Sequence, residues 1–310
     1  MSTVNSAGQA FESVKNPGMS ERFGASDSDV TFQSSDGILF RIHTVNLKAT
    51  TEGFSPPPGS TFDEIVQLTE TSATLDLLFR FIYPSRHPDL ENVEFNLLAQ
   101  LSDAAEKYLV YPAMNICKIR MRSQLLSHPA PVLFYAMRHD YPDIMNDAAP
   151  RVVNHPLNDI ITKVPPGFII PWINYYQRWL KVSQDALSFY PKAMPSFSKT
   201  PPTVTWSFAA PVAIPTAQPT ARPNRTESSS SGNQNLNGAL CNSCGPLSEQ
   251  RAIKIMARLG GNVGSLCNLP SIFLEGTLTC CMHCMTWFNS WQSAVEADVG
   301  RIPKFSTFCK

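Results

Sequence analysis

Charge is scarce in this chain of 310 residues: Asp, Glu, Lys and Arg make up 16%, against roughly a quarter in ordinary soluble domains. Neither sign is in excess, with 25 basic and 25 acidic residues. That argues against the basic footprint on which broad nucleic-acid binding rests. Long apolar runs are lacking as well. Residues 77–83 are apolar except for Arg80 and stop far short of the roughly 18 residues of a membrane span. The opening MSTVNSAGQAFESVKNPGMSERFG has no apolar h-region, so no secretory leader is expected and the expected location is intracellular. Common catalytic signatures are missing too. There is no Gly-x-Ser-x-Gly, and GGNVGS at 260–265 lacks the lysine of a phosphate loop and reads as a helix stop. The chain is therefore not expected to be an enzyme, with one alternative, resting on cysteines, taken up below.

What is present is enough for two modest domains. Apolar residues make up 43%, and many of the 26 prolines fall in one tract. Residues 1–26 read as a disordered tail. From Asp29 to His43, Val30 and Phe32 alternate with polar partners, Asp36-Gly37 supplies a turn, and Ile38, Phe40 and Ile42 alternate again. This is the pattern of a hairpin with one buried face. TVNLKATTEGF reads as a short helix, with Thr44 a candidate cap and Gly53 a candidate stop. A strand follows at Ile65–Leu68. Leu75, Leu78, Phe79 and Ile82 then fall at i, i+3, i+4 and i+7, one face of a helix that ends by Pro84.

More helices follow. Leu97, Leu101, Ala104, Ala105 and Tyr108 form one stripe, and Met114, Cys117 and Met121 form another behind Pro112. Lys118, Arg120 and Arg122 read as a solvated face. Trp172, Tyr175, Tyr176 and Trp179 recur at helical spacing and read as core rather than as a ligand cage. Residues 191–240, rich in Pro, Ser, Thr and Ala, cannot bury a core and read as a disordered linker. Ala252, Ile255, Met256 and Leu259 mark a further helix with Gly260 as its stop, and Trp287 and Trp291 lie four apart on the next.

The order of these elements, with Asp29 and Val30, His43, Leu47, Phe54, LLFRFIYP at 77–84, AAEKYLV at 104–110 and Cys117, resembles the BTB/POZ domain over about residues 26–126. The wording SSDGILFRIHTVNLKATTEGF and the closing RIPKFSTF at 301–308 look like the large group of BTB-domain proteins of mushroom-forming basidiomycete fungi. The resemblance implies an α+β fold: a BTB/POZ domain over 27–126, in which a hairpin and short sheet pack on a helical cluster. A helical extension over 127–190 and a small Cys-containing module over 241–310 would follow it. The function implied is protein–protein association, through homo- or hetero-oligomers. The alternative role is substrate adaptor of a cullin-type ubiquitin ligase. Asp29 matches a buried polar position near the family's dimer groove; a local hydrogen bond capping a strand or hairpin is the competing reading. His43 falls on a structural position of the family. Phe62-Asp63-Glu64 fits the apolar-x-acidic element that cullin-binding members carry before the third strand, though it lies directly against that strand. Phe62 and Glu64 are therefore the candidate cullin contacts. No Kelch, MATH or DNA-binding zinc-finger region accompanies the domain, so the resemblance names no target.

Eight cysteines without a leader point to reduced thiols or metal ligands rather than disulfides. Cys241, Cys244, Cys281 and Cys284 form two Cys-x-x-Cys knuckles, a donor set for tetrahedral structural zinc. Their spacer exceeds the roughly 15–20 residues of the usual signature, and Cys267, Cys280 and His283 are nearby substitutes. Three readings stand open: structural zinc, unligated thiols, and a redox pair. A zinc or redox enzyme built on these cysteines is the alternative from another class.

Overall fold

The Asp36-Gly37 reversal forms the predicted hairpin. Strand β1 (Val30–Gln33) pairs antiparallel with β2 (Leu39–Ile42), Phe32 opposite Phe40. Gly37 takes φ +88° at the turn, a conformation that costs a residue without a side chain little. Strand β3 (Ile65–Gln67) joins β1 in parallel, giving the order β2-β1-β3. In the computed structural model, residues 18–54, 64–193, 244–274 and 282–310 are described. The chain divides into two units, Met1–Tyr176 with Pro303–Lys310, and Gln177–Ile302. The fold is α+β and mostly helical, with this one small sheet among the described residues.

The tail expected over 1–26 does not hold at its C-terminal end. Residues 18–23 run along the free edge of β2: Ser20 N donates to Leu39 O, Leu39 N to Gly18 O and Arg41 N to Phe23 O, each at 2.8 Å. Phe23 is buried. The polar composition of 1–26 hid this edge segment, which is held by main-chain hydrogen bonds rather than announced by a hydrophobic pattern.

Helix α1 (Thr44–Thr50) follows the hairpin, and α2 (Ser72–Arg80) follows β3. Phe79 of α2 is fully buried and joins the two layers. Its ring lies 5.4 Å from Phe40, 5.6 Å from Phe32, 5.8 Å from Phe23 and 5.9 Å from Phe54. Phe54 in turn stacks on Tyr108 at 4.3 Å. Gly53 is not a helix stop. Its N–H donates to Tyr108 O at 3.0 Å, and a Cβ there would lie 2.5 Å from the Tyr108 backbone, so close approach of two main chains requires the glycine. Asp76 pairs with Arg22 at 3.7 Å rather than with Arg80 of its own helix.

Helices α3 (Phe95–Lys107) and α4 (Tyr111–Ser123) pack together, and α5 (Pro129–Arg138) packs on α6 (Pro142–Val152). Leu98, not Leu97, is the buried leucine at the start of the α3 stripe. The basic face of α4 is engaged rather than merely solvated. Arg120 donates to the carbonyls of Leu90 and Glu91, Arg122 pairs with Asp147, and the Lys118 ammonium sits 4.2 Å from the Tyr141 ring centroid. Helix α7 (Leu157–Ile161) leads to α8 (Ile169–Ala193), which carries Trp172, Tyr175 and Trp179 as buried residues, with Tyr176 half-buried.

The second unit takes the later turns of α8 with α9 (Gly245–Gly261), α10 (Leu269–Leu274) and α11 (Met282–Gly300). Trp291 organises it. Its indole N–H donates to Ala186 O at 3.0 Å, and its ring stacks on Phe189 and meets Phe273 edge-on at 5.3 Å. Gly260 lies within α9, whose C-terminal cap is Asn262. Most of the expected linker, residues 194–240, lies outside the described residues. RIPKFSTF is divided between the units: Arg301 and Ile302 fall in the second, and Pro303–Lys310 belongs to the first.

Replacing Phe79 by Ala removes the ring that four others share, and should destabilise the first unit by about 3–5 kcal/mol. Urea denaturation of F79A against wild type measures it; a loss under about 1 kcal/mol would show that the cluster repacks.

Candidate functional site

Three of the four sequence-derived interaction residues come together at one end of the sheet. Ile42 lies opposite Val30, so Asp29 and His43 flank the same end of the hairpin. The parallel register, Thr31 opposite Ile65, brings Glu64 to that end from the other side of β1. Phe62 lies outside the described residues.

Asp29 is exposed in the single chain, not buried as the resemblance implied. It has a local task. Its carboxylate accepts from Thr44 N at 2.6 Å and from the Thr44 hydroxyl, capping α1, whose own N-cap residue, His43, gives no side-chain bond. Desolvation works against its charged form, but the Thr44 hydroxyl and amide outweigh it and hold the carboxyl below its usual range. The His43 ring places Nδ1 2.9 Å from Tyr83 Oη and Nε2 3.4 Å from Asp27 Oδ1. Burial, then the nearby Asp27 and Asp29 carboxylates, raise the Tyr83 phenol despite its bond from His43 N. Val45, next on α1, is 70% exposed. The result is a polar, mostly acidic rim beside a bare aliphatic side chain. Glu64 is exposed and opens β3, where Ile65 and Val66 are also exposed.

The cysteines divide. Cys117 is fully buried, and burial pushes its thiol up to about 12, which leaves it a packing group rather than a nucleophile. Cys244 immediately precedes α9, and Cys284 is buried in the first turn of α11. Cys241 and Cys281 lie outside the described residues. Among the described residues, no three His, Cys, Asp or Glu side chains converge as a metal site, and no helix is long and apolar enough to cross a membrane.

Two polar clusters in the first unit escaped the sequence reading. Glu106 on α3 accepts from Tyr135 Oη at 3.0 Å and from Tyr141 Oη. Asp103, one turn earlier, takes both His139 Nε2 at 2.9 Å and Arg138 Nη2 at 2.8 Å. The only sequence trace of either is an acid placed beside an apolar stripe; its partners are some thirty residues away. No protein-family model matches the chain, and no curated protein matches it.

Loss of the Asp29 cap should cost about 1 kcal/mol at neutral pH. Because the folded carboxyl titrates below its ordinary value of 3.8, this stability is present above that value and is lost as pH falls through the depressed one. Denaturation of D29A and wild type at pH 7 and near pH 2 measures it. The difference should shrink at the lower pH; an equal difference at both would refute a charged cap.

Proposed function

We propose that the chain is a non-catalytic, intracellular interaction scaffold whose first unit is a BTB/POZ-like, self-associating domain. The observation that carries this reading is the order of the elements. A hairpin, a short helix, a third strand, an apolar helix and then helical pairs follow one another in the order on which the resemblance rests. The acidic rim with exposed Val45 supports it by offering an apolar contact bounded by charge, the anatomy of a protein interface. Sedimentation velocity on the full chain over about a hundredfold concentration range tests it. Wild type should pass from monomer to dimer, and Val45→Glu should weaken association at least about tenfold. A monomer throughout would refute self-association. Recovery of a cullin in near-equal amount with the tagged protein from its own cells would select the adaptor role, with Glu64 the first contact to mutate.

A structural zinc in the second unit is proposed beside it, on the strength of Arg251. This side chain is buried on α9, donates to Phe273 O at 2.7 Å, and lies 4.3 Å from the Phe288 ring of α11 with Nη1 3.9 Å from Met285 Sδ. Among the described residues no carboxylate pairs with it, and its Nε lacks a hydrogen-bond partner. A buried cation needs a nearby negative group, and four thiolates around zinc carry a net negative charge. Helical side chains lean toward the N-terminus, so Arg251 ties the early turns of α9 to the start of α11, where Cys244 and Cys284 lie. Elemental analysis of the purified full chain should find about one zinc per molecule, reduced in Cys284→Ser. A metal-free chain whose melting is indifferent to chelator would exclude it.

A further inference from the structure

Residues Pro303–Lys310 are separated in sequence from the rest of the first unit by the whole second unit, yet they dock into it as a ligand would. Phe305 is 1% exposed, wedged edge-on between Trp172 at 5.7 Å and Tyr175 at 5.4 Å. Phe308 also meets the Tyr175 ring edge-on at 5.7 Å. Between them, the two ends of the Asn146 amide read one residue. Its Oδ1 accepts from Ser306 N at 2.9 Å, and its Nδ2 donates to Ser306 Oγ at 3.0 Å.

The segment arrives pre-shaped. Residues 305–308 form a 3₁₀ turn, in which side chains three apart eclipse one another, so both rings fall on one side. Thr307 donates from N and Oγ1 to Lys304 O, and Cys309 N donates to Ser306 O, so the turn satisfies its own backbone. Lys304, Thr307, Cys309 and Lys310 remain exposed. Trp172, whose ring meets Phe305, keeps its buried indole N–H without an acceptor; the tail leaves one polar demand of this wall unmet.

We propose that the wall formed by Asn146, Trp172 and Tyr175 is a docking groove for short Phe-Ser/Thr-x-Phe segments of partner proteins, which the chain's own Lys304–Phe308 occupies in cis and so keeps closed. The anchors are two rings three residues apart, and specificity comes from Asn146 reading a hydroxyl residue after the first ring. Tethering gives the resident tail a high effective concentration, so a partner segment enters only when the tail is weakened or the partner is itself held nearby. This groove is independent of the rim at Asp29, and its failure leaves the scaffold reading untouched.

The test uses the full chain and a fluorescent peptide of sequence RIPKFSTF. Phe305→Ala with Phe308→Ala should empty the groove. The peptide should then bind saturably to this double variant and at least about tenfold more weakly to wild type. Adding Asn146→Ala should cost about a further tenfold, and a peptide with both Phe replaced by Ala should not bind. Absence of saturable binding to a double variant that circular dichroism shows to be folded overturns the proposal, and the tail is then only a plug. Should the double variant not fold, Phe308→Ala alone keeps the Phe305 anchor. Excess peptide should then raise hydrogen exchange across 303–310, and unchanged exchange at high peptide overturns the proposal equally. A wild-type dimer that the double variant loses would assign the groove to the tail of a second copy and overturn the assignment to a foreign partner.

Discussion

One aromatic contact holds the first unit together. Phe79 projects from a nine-residue helix into rings supplied by the edge segment, by both strands of the hairpin and by the loop after α1. A three-stranded sheet of such short strands has little stability of its own; it gains a buried face because this ring and its neighbours cover it. Everything that reaches the sheet end, including Asp29, His43 and Glu64, is positioned by strands that this packing fixes. The hairpin, the helix and the rim are in that sense one cooperative object.

Much of this was legible in the residues. Alternation around Asp36-Gly37 forecast the hairpin, although β2 begins at Leu39 and not at Ile38, and the i, i+3, i+4, i+7 spacing of Leu75, Leu78, Phe79 and Ile82 forecast the face of α2, because local periodicity reports which side is buried. The stripe from Trp172 to Trp179 was legible for the same reason. What escaped was non-local. The edge segment at 18–23 binds through main-chain groups that every sequence has. Gly53 looked like a helix stop, but its need for a glycine comes from Tyr108, far along the chain. Glu106 and Asp103 draw tyrosines, an arginine and a histidine from helices whose approach no spacing rule gives. Of the site residues, the locations of Asp29 and His43 at one sheet end follow from the hairpin register; that of Glu64 rests on the parallel pairing of β1 with β3, which no local pattern gives, and the exposure of Asp29 and its cap on α1 did not follow either.

The two units solve different problems of composition. The first has enough chain to bury a mixed core, and spends its few charges on specific pairs such as Asp103 with Arg138 and His139 rather than on a scattered surface. The second is smaller and leans on large rings. Trp287, Phe288 and Trp291 of α11 lie within ring contact of one another, with Phe189 and Phe273 beside them. Among the described residues the buried Arg251 meets no carboxylate, and its charge rests instead on the Phe273 carbonyl and the Phe288 ring.

The caps that begin α1 and α2 come partly from the hairpin. Asp29 supplies the one that α1 lacks, and Asp36, from the hairpin turn, accepts from Ser72 N and Oγ at 2.8 and 2.6 Å where α2 begins. Helices of seven and nine residues are too short to persist alone in water. Helix α2 also has a local cap, Thr71, whose side chain accepts from Thr74 N at 3.4 Å, so it is the cap of α1 that waits on the pairing of two strands. A nascent chain emerging from the ribosome would leave α1 uncapped until residue 42 had closed on residue 30, whereas α2 would begin on its own Thr71 and gain the Asp36 contact as the hairpin turn arrives.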